Sequence, residues 1–129
     1  MSSPVEIHTT ILFAAIFGIL HVVFTLRVGG YRFKSKINFG DEGDKELRNR
    51  IRAHGNFTEN VPIALLLLLL NELTGTGQST LIILGSVLLV SRLLHYVMIV
   101  SRALPIVMRP ISMIGTLGTI LASSILLLV

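Results

Sequence analysis

The run Arg48-Asn-Arg-Ile-Arg52-Ala-His54-Gly-Asn56-Phe-Thr-Glu59-Asn-Val-Pro62 is polar and charged, and it leads straight into the apolar stretch Val61 to Leu70. A helix turns by about 100° per residue and rises about 1.5 Å. On that pitch Arg52, Asn56 and Glu59 fall within about 60° of one another, Arg48 extends the same stripe, and His54 points roughly the other way. Glu59 lies about 10 Å further along than Arg52, at the edge of the oily stretch. A carboxylate and an amide placed there are costly to bury unless something pairs with them. Two readings stand: an ion pair between helices, or a polar pocket for a small zwitterion.

Working outward, the 129 residues are 52% hydrophobic and only 14% charged, an unusual balance for a soluble domain. Apolar runs recur at roughly the 20-residue length that fits a bilayer. They cover roughly Val5–Leu26, Phe57–Leu73, Thr80–Val100 and Ile106–Val129. The second is short and completes a span only by including the Arg52–Glu59 stripe. The expectation is a single all-α domain over residues 1–129, a four-transmembrane-helix bundle with helices at about 5–28, 45–74, 79–102 and 106–129. The absence of cysteine excludes disulfides, thiolate metal sites and a cysteine nucleophile. No metal-ligand spacing, phosphate-binding glycine loop or serine triad pattern is present.

The net charge of +4 is no nucleic-acid signal, because the cations flank the apolar runs. Arg27, Arg32, Lys34, Lys36, Lys45, Arg48, Arg50 and Arg52 surround the first connection, and Arg102 and Arg109 the third. The second connection carries only Glu72. The positive-inside rule then puts both basic connections in the cytosol and both termini outside. The first segment, opening after Ser2-Ser3-Pro4, reads as a retained span and not as a cleaved signal.

Gly29 to Asp44, with four glycines and mixed charge, reads as the main loop. Pro62 should kink or relax the second helix, and Thr74-Gly-Thr-Gly77 reads as a tight turn. The third helix carries Arg92, His95 and Tyr96 at a depth comparable to Glu59, so a Glu59–Arg92 pair is possible. Arg27 reads as an interfacial anchor or as a pocket wall. His8 and His21 on the first helix read as packing residues. The serines, threonines and glycines of the fourth helix read as a close-packing seam. Arg27, the Arg52–Asn56–Glu59 stripe, Arg92–His95–Tyr96 and Arg109 thus converge on one leaflet. Arginines grip carboxylates by paired hydrogen bonds, which suits a small polycarboxylate whose ammonium Glu59 takes.

At Arg52-Ala-His-Gly-Asn56-Phe-Thr-Glu59-Asn-Val-Pro62 the chain resembles the MAPEG family, the membrane-associated proteins of eicosanoid and glutathione metabolism. The matching pattern is Arg-Ala-x-x-Asn-x-x-Glu followed by a proline and a long apolar run. Four spans, a basic first loop, Arg92-x-x-His95 and an arginine opening the fourth helix extend the resemblance over nearly the whole chain. The chain departs from relatives at Asn60, Ile99 and Pro110. The resemblance implies a homotrimeric four-helix bundle in the lipid bilayer, with glutathione as co-substrate bound between neighbouring subunits. Carried over by position, Arg52, Asn56 and Glu59 would hold glutathione, His54 could reach it, and Arg27, Arg92, His95 and Tyr96 would line the site. Arg109 would be catalytic, stabilising the thiolate for attack on a lipophilic electrophile or hydroperoxide. Compact loops resemble a bacterial member, and hence an inner-membrane setting. Two other classes stay open: a small four-helix exporter, and a non-catalytic membrane scaffold whose polar stripe forms structural ion pairs.

Overall fold

The computed structural model describes residues 6–101 and 103–129. The expected Ser2-Ser3-Pro4 helix start and the Arg102 flank lie outside the described residues. Four helices follow in order: α1 (Thr9–Ser35), α2 (Lys45–Leu73), α3 (Gln78–Ser101) and α4 (Met108–Leu128). They form an all-α membrane bundle. Neighbours in sequence pack together, α2 also packs on α4, and α1 reaches α3. Helices α1, α3 and α4 are each long and apolar enough to cross a bilayer. Helix α2 is the longest, at 29 residues, but its first half is the polar stripe.

Each end has a local cause. Asp44 caps α2: its carboxylate accepts from Leu47 N at 2.9 Å, the favoured role of an aspartate at that position. Helix α1 begins under a carboxylate borrowed from α2. Glu72 accepts from the backbone N–H groups of His8, Thr9 and Thr10 at 3.0, 2.8 and 2.7 Å, which satisfies donors that a helix start leaves free. The lone acid of the second connection therefore has a structural task. At the α2–α3 turn Gly75 adopts φ 90°, where a side chain is strained, and Thr76 donates to the buried Asn71 amide oxygen at 3.0 Å.

One expectation is corrected. The first connection is shorter than Gly29 to Asp44, because α1 runs on through Gly29 and Gly30 to Ser35. Contacts with α2 outweigh the poor helix propensity of the two glycines. The Arg50 guanidinium donates to Arg27 O at 3.3 Å and lies 4.9 Å from the Tyr31 ring centre, while Tyr31 OH donates to Asp44 at 2.9 Å. Lys36, in the left-handed region at φ 58°, closes the helix.

The core is a chain of aromatic rings across three helices. Phe17 and Phe24 of α1 lie 5.9 and 5.1 Å from Phe57 of α2, and Phe24 stacks on Tyr96 of α3 at 3.6 Å. Gly85 lets the Phe13 ring lie directly on the α3 backbone; a Cβ there would overlap it. On α4, Ser112, Thr116, Thr119 and Ser123 are buried at helical spacing. The first three donate to their own helix carbonyls, so this seam packs closely, as small residues allow. The outward faces of α1 and α4 are aliphatic, for example Ile19, Leu26, Ile114 and Leu121.

Candidate functional site

The α2 stripe does not act as one unit. Arg52 and Asn49, one turn apart, line a cleft of about 520 Å³ whose other walls are Met98, Ile99, Leu104, Ile106 and Arg109. The turn at Pro105, with Met108 N bonded to Pro105 O at 2.9 Å, sets the start of α4 and so brings Arg109 across from Arg52. Both guanidinium groups belong to exposed residues, and no carboxylate pairs with either among the described residues. Two cations and an amide thus share a cleft with four aliphatic or thioether side chains. Such a site can hold an anion at one end and an apolar group at the other.

Behind it, Arg92 is only 2% exposed. It donates to the Asn56 side-chain oxygen and lies 3.3 Å from the Met113 sulfur, while its Nε has no partner among the described residues. A buried cation held by neutral groups alone is costly. Of the two readings of the stripe, the Glu59–Arg92 pair is not formed: Asn56, one turn before Glu59, takes the guanidinium, and Glu59 is exposed. Glu59 has no ion-pair partner among the described residues. His95 is buried beside Tyr96. The Tyr96 hydroxyl is buried without a partner among the described residues, and the Arg27 guanidinium lies 6.0 Å from the Tyr96 ring centre.

His54 faces α1, as its place on the helix wheel requires. Its Nε2 lies 2.9 Å from the Thr25 hydroxyl. That hydroxyl spends its single proton on His21 O at 2.7 Å. The imidazole must therefore be the donor at Nε2, which leaves Nδ1 as an acceptor when the ring is neutral. The His21 ring centre is 5.4 Å away. A shallow groove of about 310 Å³ runs beneath, lined by Ala14, Gly18, His21, Thr58 and Pro62 among others.

The bundle thus unites Arg52 with Arg109, Asn56 with Arg92, and Arg27 with Tyr96, and it sets His54 apart on the α1 side. The profile of the MAPEG family matches residues 10–129, nearly the whole chain. The chain belongs to the MAPEG family. Inner membrane protein YecN of Escherichia coli strain K12 is 39% identical to it over 85 residues, 66% of this chain and 65% of that protein. YecN of Escherichia coli O6:H1 matches to the same extent. The matched stretch therefore spans just under two thirds of these curated relatives.

In this MAPEG chain, sequence reasoning overlooked Asn49, Met98, Leu104 and Ile106 as walls of the cleft. Asn49 was open to detection, standing three residues before Arg52 on the same helix face. Leu104 and Ile106 sit in the α3–α4 connection, where no helical period could place them. Met113 as a neighbour of Arg92 carried no signal at all.

Proposed function

We propose that this MAPEG protein is a glutathione-dependent membrane transferase or peroxidase, with a lipophilic electrophile or hydroperoxide as second substrate. The observation that carries the reading is the pairing of Arg52 and Arg109 in one partly apolar cleft. The residues fit glutathione as co-substrate. Its carboxylates and ammonium call for an exposed cation and an exposed acid, which Arg52 and Glu59 supply, and the exposed Arg109 is left for the sulfur. The buried Arg92 Nε and Tyr96 hydroxyl also lack partners among the described residues.

Arg52 grips a carboxylate by paired hydrogen bonds, Glu59 takes the ammonium, and Asn56 and Arg92 back the peptide. Glutathione supplies the sulfur that reacts. Arg109 holds that sulfur as thiolate, since a free thiol has a pKa of about 8.5 and a neighbouring arginine lowers it. Met98, Ile99, Leu104 and Ile106 would keep water from the lipophilic partner. Within one chain, Arg27 and His54 stand on a different side of the bundle from the Arg52–Arg109 cleft. A homotrimer in which the α1–α2 side of one copy meets the α2–α4 side of the next would gather all of them. The charge pattern supports an inner-membrane placement with both termini outside and both basic connections cytosolic.

The test is an ultraviolet difference titration of glutathione with purified, detergent-solubilised protein across pH. Thiolate absorbance well below the free thiol's pKa, lost in Arg109→Ala, is the expected result. Arg52→Ala or Glu59→Gln should weaken binding by about tenfold or more, or about 1.4 kcal/mol. Unchanged affinity in both variants would sink the site. A scaffold reading draws on one observation, that Asn56 and Arg92 already hold each other; it requires that glutathione leave the melting temperature unmoved.

A further inference from the structure

The connection between α1 and α2 carries a second surface, separate from the cleft. At about 1.5 Å per residue, Phe33 lies about 36 Å along α1 from Thr9, a distance greater than the thickness of a hydrocarbon core, about 30 Å. There Phe33 is 89% exposed, and Phe39 in the loop that follows is 86% exposed. Two bare phenyl rings, one on the last turn of α1 and one in the polar loop after it, need a reason. They are not on a loose tether. The Arg32 guanidinium donates to Gly40 O at 2.8 Å, Ile37 N donates to Arg32 O at 3.2 Å, and Ile37 is buried. The loop is folded against its own helix, and that fold presents both rings outward.

The charges around these rings are unevenly matched. Residues 29–50 hold six cations and four carboxylates. Three of the carboxylates are engaged: Asp41 pairs with Arg48 at 2.7 Å, Glu46 with Arg50 at 2.6 Å, and Asp44 caps α2 while accepting from Tyr31. Lys34, Lys36 and Lys45 are exposed and have no carboxylate partner among the described residues. Rings that sit comfortably at an interface, beside lysines free to meet phosphate, match the chemistry of an acidic lipid surface.

We propose that this connection is a docking surface for anionic phospholipid headgroups, with Phe33 and Phe39 seated in the interface and Lys34, Lys36 and Lys45 meeting the lipid phosphates. It would pin the polar end of α2, and the mouth of the cleft with it, at a fixed depth. The chain has no tryptophan, so Phe33→Trp and Phe39→Trp each give a single fluorescent reporter. Each variant of the full chain is reconstituted in mixed phosphatidylcholine and phosphatidylglycerol vesicles in which one lipid or the other is brominated. The expected result is blue-shifted emission, quenched several-fold more by brominated phosphatidylglycerol than by brominated phosphatidylcholine at equal fractions. The preference should fall with added salt. It should vanish in Lys34→Gln/Lys36→Gln/Lys45→Gln and survive in the matching triple arginine variant, with both variants checked for native helix content. Water-exposed emission that neither lipid quenches would overturn the proposal, as would equal quenching by the two. Emission that tracks protein density in the vesicle instead of lipid charge would assign the rings to a second copy and overturn it as well.

Discussion

Glu72 shows how much one side chain can settle. A single carboxylate at the end of an apolar helix accepts three backbone N–H groups at the start of another, and it sits where the helix dipole favours a negative charge. Glu72→Gln keeps one acceptor and loses the charge; it should lower stability in detergent by about 1–2 kcal/mol, read from thermal unfolding. Arg92 and Asn56 form a pair of another kind. Asn56→Ala strips a buried guanidinium of its polar partner and should cost about 3 kcal/mol, whereas the double variant Asn56→Leu/Arg92→Met should recover most of that loss. A double-mutant cycle on unfolding reads the coupling. The acids of the first connection set a pH limit. The Arg48 guanidinium, with Gly43 N–H, holds the Asp41 carboxyl below its ordinary value, and the Leu47 N–H, with the Tyr31 hydroxyl, does the same for Asp44. A depressed folded value means that their contribution is complete above the unfolded pKa of about 3.9 and is lost as pH falls further. The share of the melting temperature that Asp41 and Asp44 supply should therefore be lost only below about pH 4, and Asp44→Asn should blunt that part of the acid drop.

Helix α1 gains its last two turns from its neighbour. Gly29 and Gly30 argue for a loop, yet Arg50, Tyr31 and Asp44 tie the segment to α2 and the helix continues to Ser35. Local propensity is worth about 1 kcal/mol per glycine, and contacts between elements readily exceed that. The third helix depends on a close approach. Gly85→Val would push into the Phe13 ring and should cost about 1–3 kcal/mol as overpacking. Adding Phe13→Leu, which frees space, should return part of it; failure of that rescue in thermal unfolding would mean that the α1–α3 contact is looser than the packing implies. Helix α4 was legible as a seam, because Ser112, Thr116, Thr119 and Ser123 repeat at helical spacing and small size.

At the level of the molecule, the division of the polar groups over different sides of one bundle is the strongest physical argument for assembly. On the proposed function a homotrimer is expected in mild detergent and in lipid, and native mass measurement should find three chains; a stable, glutathione-binding monomer would refute the proposed shared site. Helix number, membrane character, the starts of α2 and α3 and the Arg52–Asn56–Glu59 stripe were all readable from order alone, because hydrophobic length, capping residues and a 3.6-residue period are local properties of the chain. Which groups meet was not. That Arg92 takes Asn56 and leaves Glu59 exposed, that Arg52 faces Arg109, and that Glu72 closes α1 all depend on the rotation and offset of one helix against another. Those are set by contacts such as Phe24 on Tyr96 and Phe13 on Gly85, between residues far apart in sequence, and no local pattern encodes them.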